Sequence, residues 1–119
     1  MSEPTPRPAE DPGSLPGASP GIHVVVSELA IATEATDALE TAFRGRLGAV
    51  DNFPGHRQLQ VWKDERRAGR YLMVTWWDSP DAFHHYLRSD AHRDSHARIP
   101  TEPARPRGVR VERFSLLST

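Results

Sequence analysis

No cysteine occurs anywhere in the 119 residues. Disulfides, thiolate nucleophiles and cysteine-held zinc or iron–sulfur sites are therefore excluded, and any metal must be held by histidine, carboxylate, tyrosine or a cofactor. An excess of charge is missing too: 15 Lys and Arg oppose 16 Asp and Glu, for a formal net charge of −1. Nucleic-acid binders usually carry a clear basic surplus, so no nucleic-acid partner is expected. No apolar run approaches the ~20 residues that cross a bilayer. The first residues lack the basic start and apolar stretch of a secretory signal. The expectation is a cytoplasmic protein with no membrane partner.

Apolar side chains are also scarce at the start of the chain. Residues 1–20 hold Pro4, Pro6, Pro8, Pro12, Pro16 and Pro20, no aromatic residue, and Thr5 as their only β-branched one. Such a segment buries too little to offset the entropy of ordering it, so a disordered tail is expected over 1–20 and a single domain over 21–119.

Beyond residue 20 the pattern changes. Residues 22–29 (Ile-His-Val-Val-Val-Ser-Glu-Leu) predict a strand apolar on both alternations. Thr33 or Thr36 is placed to cap a helix whose apolar face is Leu39, Phe43, Leu47 and Val50. Asn52-Phe53-Pro54-Gly55 marks a turn. A second strand over 57–62, a charged loop over 63–69 ending in Gly69, and a third strand over 70–77 come next. After a helical region comes a loop rich in proline and arginine over 100–108. In a fourth strand Val109, Val111, Arg113 and Ser115 alternate with Arg110, Glu112, Phe114 and Leu116. The order β-α-β-β-α-β is the ferredoxin-like α+β pattern: an antiparallel sheet with both helices on one face. The other face is then bare, although strands one and three are apolar on both alternations. A second copy of the chain covering it, as a homodimer, is the simplest expectation.

The helical region, residues 76–100, concentrates the chemistry-bearing side chains: His84, His85, His92 and His96, with Trp76, Trp77 and Tyr86. Ser79 or Asp78 offers an N-cap and Pro80 suits the first helical position. Phe83 and Leu87 share a face. Ser89-Asp90 resembles a fresh cap, so the helix is expected to break and restart through His92 and His96. Trp76 and Trp77 must point to opposite faces of strand three.

These residues resemble a family. Asn52-Phe53-Pro54-Gly55 together with the run from Tyr71 through Asp78-Ser79-Pro80-Asp81-Ala82-Phe83 is similar to the antibiotic biosynthesis monooxygenase (ABM) superfamily over roughly residues 22–117. The resemblance implies a dimeric α+β barrel with a cavity between helices and sheet. The stretch from Tyr86 to His96 further resembles the IsdG-type heme-degrading monooxygenases, in which a serine-aspartate restart precedes the iron-binding histidine. It implies His96 as the metal ligand, Tyr86 where those enzymes carry a heme-distorting tryptophan, Trp77 as the tryptophan of the wider superfamily, and Ser27 where they carry an asparagine near the distal ligand. Ser27 and Tyr86 are thus departures from the heme-degrading pattern.

Three functions are compatible with this. In a heme-dependent oxygenase, His96 would bind iron, with His92 and Arg98 as further cofactor contacts and Ser27, Tyr86 and Trp77 around the reacting group. If heme were the substrate, a redox partner would be needed. In a cofactor-free oxygenase, a phenolic or polyketide-like small molecule would be deprotonated and react with oxygen; Tyr86, Trp77, His85 and Ser27 would line the site. In a non-enzymatic dimer, heme or a metabolite would simply be held. Each residue also has a plain alternative: a solvated helix histidine for His92 or His96, core packing for Tyr86 and Trp77, an ordinary core polar group for Ser27, a solvated arginine for Arg98.

Overall fold

The computed structural model describes residues 21–45 and 52–119. The expected tail over 1–20 and the expected helical positions Leu47 and Val50 lie outside the described residues. Within them the chain runs β1 (His23–Ala30), α1 (Thr36–Arg44), β2 (His56–Lys63), β3 (Arg70–Trp77), α2 (Pro80–Leu87), α3 (Asp90–Ala97) and β4 (Arg107–Ser115). The sheet order is β2-β3-β1-β4, with every neighbour antiparallel. This is the ferredoxin-like α+β topology.

Helix entry differs from the sequence expectation at α1. Neither Thr33 nor Thr36 caps it through its side chain; Thr33–Ala35 forms a 3-10 turn, and the Thr36 hydroxyl instead donates back to the Thr33 carbonyl at 3.0 Å. A threonine hydroxyl close to a preceding carbonyl satisfies that acceptor rather than an orphan N–H. At α2 the Ser79 hydroxyl accepts from the Ala82 N–H at 3.1 Å, with Pro80 in the first turn. At α3 the Ser89 hydroxyl accepts from the His92 N–H at 3.2 Å and donates to the Tyr86 carbonyl at 2.6 Å. One serine thus closes α2 and opens α3, which sets the break between them.

Strand alternation then distributes side chains between two faces. On the helix side, Val25 and Trp77 pack with Phe83 and Tyr86, flanked by Phe53, Leu59, Ala82 and Ala91. Trp77 is 1% exposed and Leu39 fully buried. Trp77 is the tryptophan that faces the helices; Trp76 lies on the opposite face. That face carries registered rows: Phe114, Val24, Trp76 and Gln58; Glu112, Val26, Val74 and Gln60; Arg110, Glu28, Leu72 and Trp62. In the last row Glu28 is buried and accepts from Arg70 at 2.8 Å, with Arg110 at 3.5 Å. No helix among the described residues is long and apolar enough to cross a membrane.

Candidate active site

Between the helix-side face of the sheet and the helices lies a cavity of about 590 Å³, within the ~300–1,000 Å³ span of small-molecule and cofactor pockets. Val25, Ser27, Met73 and Thr75 are among the sheet residues that form its floor. Trp77, Phe83 and Tyr86 close one side; His92, Ser95, His96 and Ile99 form part of the helical wall. The lining is mostly apolar with a few convergent polar groups, the usual make-up of a ligand site.

Five of the seven candidate site residues read from the sequence, Ser27, Trp77, Tyr86, His92 and His96, line this one cavity. Arg98 does not. It follows the last turn of α3, where its N–H donates to the Ser95 carbonyl at 3.2 Å and its side chain is exposed; the next residue, Ile99, takes the wall. Neither His84 nor His85 lines the cavity: His85 is exposed, and His84 is half-buried against Arg113.

Tyr86 is set in an aromatic frame, its ring centroid 5.2 Å from Trp77, 5.3 Å from Phe53 and 5.1 Å from His92. Burial pushes its phenol above the ordinary tyrosine value. The Ser95 hydroxyl lies near enough to oppose part of that rise, yet it is buried and completes no hydrogen bond of normal geometry among the described residues. The Trp77 indole donates to the Thr75 hydroxyl at 2.8 Å, which satisfies a buried N–H and fixes the ring.

His92 and His96 fall one turn apart on α3, and their ring centroids are 4.3 Å apart. Burial, then the neighbouring His96, hold the His92 imidazole below its ordinary value, opposed by the Leu87 carbonyl. His92 therefore favours the neutral form. The His96 ring stands on the open side of the cavity, exposed, and makes no hydrogen bond or ion pair among the described residues. It therefore lines the cavity at an exposed edge, next to His92. Ser27, on the sheet floor, likewise has no hydrogen-bond partner for its hydroxyl among the described residues.

Arg113 and Ile99 were missed as wall residues. Arg113 had a signal, since it shares an alternation with Val109 and Val111, where a charge interrupts an otherwise apolar face.

An antiparallel four-stranded sheet with helices on one face, lining an aromatic-walled cavity with two histidines, is a ferredoxin-like α+β fold with a cavity of small-molecule size. The sequence pattern of the family described as antibiotic biosynthesis monooxygenase matches residues 22–98, and the chain belongs to that family. Among characterised relatives, it is 35% identical over 51 residues to a heme oxygenase (staphylobilin-producing) of Staphylococcus saprophyticus, covering 41% of this chain and 49% of that protein. It is 31% identical over 68 residues to a heme oxygenase (mycobilin-producing) of Mycobacterium tuberculosis, covering 57% of this chain and 65% of that one. The matches thus span about half to just under two thirds of those relatives. Among solved structures, the heme-degrader MhuD of Mycobacterium tuberculosis, with two hemes bound in its active site, is similar with a TM-score of 0.67 and 26% identity, over 82% of this chain and 97% of that one. SnoaB, a cofactor-independent oxygenase from Streptomyces nogalater, shares the fold with a TM-score of 0.63 and 16% identity, over 83% of this chain and 96% of that one.

Proposed function

We propose that this chain is a heme-binding monooxygenase in which His96 ligates the iron. The carrying observation is an imidazole with both nitrogens uncommitted among the described residues, at the mouth of a 590 Å³ apolar cavity. A histidine already bonded through both nitrogens would not serve; this one has its ring nitrogens available to a metal. The residues present therefore fit the group. Bound heme would supply the iron centre at which oxygen is activated. The chain's own part is to hold and surround it. His96 donates a ring nitrogen. His92, kept neutral by burial, packs beside it without adding a charge. Trp77 and Tyr86 give a rigid aromatic wall that keeps water from the inner end, and the Ser27 hydroxyl, without a hydrogen-bond partner among the described residues, is a donor on the floor. Turnover of heme itself would need an electron donor, a redox partner. The relatives' heme oxygenase activity supports this reading.

The same proposal includes a homodimer, because the sheet face away from the helices leaves Trp62 49% and Phe114 51% exposed beside Val24, Leu72 and Trp76.

The test is a titration with hemin followed in the visible. A Soret shift is expected with the wild type, and at least about tenfold weaker binding with His96→Ala. A wild type that leaves the hemin spectrum unchanged, or a variant that binds as well, ends the proposal. One observation favours a second reading, cofactor-free oxygenation of a phenol: the neutral His92 is a ready general base in a dry aromatic pocket. Oxygen consumption with a dihydroxyaromatic in metal-free buffer, lost in His92→Gln, would support that reading instead.

A further inference from the structure

Two arginines of β4 are among the cavity's lining residues: Arg113 on the helix-side face, and Arg110, whose strand register places it on the other face. Arg110 is engaged by Glu28 at 3.5 Å. Arg113 has no carboxylate partner among the described residues. Its guanidinium sits 5.3 Å from the Phe83 ring centroid, and its Nη1 donates to His84 Nε2 at 3.0 Å. His23, 5.9 Å from Phe83 between centroids and 7% exposed, also lies beside that ring, and its Nε2 has no hydrogen-bond partner among the described residues. Phe83 thus has a guanidinium and two imidazoles beside it, and none of the three forms an ion pair with a carboxylate among the described residues. Burial first, then the charges of Arg113 and His84, hold the His23 imidazole below its ordinary value, as expected for donors gathered around one spot.

We propose that Arg113, with His84 beside it, is the binding site for an acidic group on the cavity's ligand, so that the ligand is an apolar, planar body bearing a carboxylate. The inference rests on the cavity being the ligand site, and otherwise stands apart from the iron assignment. A guanidinium presents a planar fork that matches a carboxylate with two parallel N–H···O bonds. Such charge-assisted bonds are about twice as strong as neutral ones, so a carboxylate displaces the His84 ring nitrogen as the guanidinium's acceptor. Phe83 holds the guanidinium plane by a cation–π contact and so reduces what ordering costs. The body of the ligand then lies toward Val25, Leu59 and Met73, and its charged end at β4. Both a heme propionate and the carboxylate of an aromatic acid meet this description.

The test uses the full chain, wild type, Arg113→Gln and Arg113→Lys, with two matched pairs of probes: hemin and its dimethyl ester, and anilinonaphthalene sulfonate and the uncharged N-phenyl-1-naphthylamine. The wild type is expected to bind the acidic member of a pair about tenfold more tightly than its neutral counterpart. Arg113→Gln is expected to erase that preference while leaving the neutral probe unchanged, and Arg113→Lys to keep only part of it. Preference in the naphthalene pair without any hemin binding supports this site and counts against the iron reading; the acid is then organic. Preference in the hemin pair, lost in the glutamine variant, supports a propionate. A wild type that does not discriminate, or a preference that survives in Arg113→Gln, overturns the proposal whichever probes bind.

Discussion

At the residue scale, Trp77 is the centre of the packed end of the cavity, touching Phe53, His56, Phe83 and Tyr86 ring to ring. Trp77→Ala should destabilise the fold by about 3–5 kcal/mol, read as a lower urea midpoint. The histidines give a pH prediction. His23, facing Arg113 and His84, and His92, facing His96, both have folded pKa values below the ordinary 6.5. The unfolded chain therefore binds more protons there than the folded one. Their contribution to stability is complete above 6.5 and is lost as pH falls toward the folded values. Urea midpoints at about pH 7.5 should exceed those at about pH 5.5, and His23→Gln should shrink the difference. Glu28, Glu40 and Asp64 act lower down: hydrogen bonds hold their carboxyls below the ordinary carboxylate range, so their loss comes only on stronger acidification.

At the scale of elements, the site depends on where α3 starts. Ser89 bonds both the end of α2 and the start of α3. Ser89→Ala should cost about 1 kcal/mol of stability and weaken hemin binding, since both histidines ride on the helix it caps; a variant that binds hemin as well as wild type would show that α3 holds its position without the cap. The turns are equally specific. Gly69 has φ +85°, and a Cβ there would sit 2.2 Å from the Ile31 carbonyl oxygen. Its own carbonyl accepts from the Ile31 N–H at 2.9 Å, which ties the β2–β3 hairpin to the end of β1. Gly69→Ala should therefore lower thermal stability by more than the ~1 kcal/mol of an ordinary strained turn, measured by calorimetry.

At the scale of the whole molecule, the sheet face away from the helices leaves Trp62 and Phe114 about half exposed. The proposed dimer covers that face, so light scattering should report twice the 13.3 kDa chain mass. Trp62→Glu combined with Phe114→Glu should return it to one chain while leaving the fold, by circular dichroism, intact. Because Arg113 lies on the helix side, this variant should keep the cavity's preference for acidic probes.

The sequence by itself determined the element order and the helix breaks. Those depend on local chemistry: Ser79 before Pro80, Ser89 before Asp90, glycine in the turns, and a two-residue period in the strands. It also separated Trp76 from Trp77, because alternation leaves no choice. Tertiary structure alone decided which side chains meet across segments distant in the chain. It put Arg113 of β4 against His84 of α2, left Arg98 outside the cavity, and left the His96 ring exposed at the cavity's edge. Nothing in the linear spacing records those contacts, since each joins segments whose relative placement is fixed by packing around Trp77 and Tyr86 rather than by neighbours along the chain.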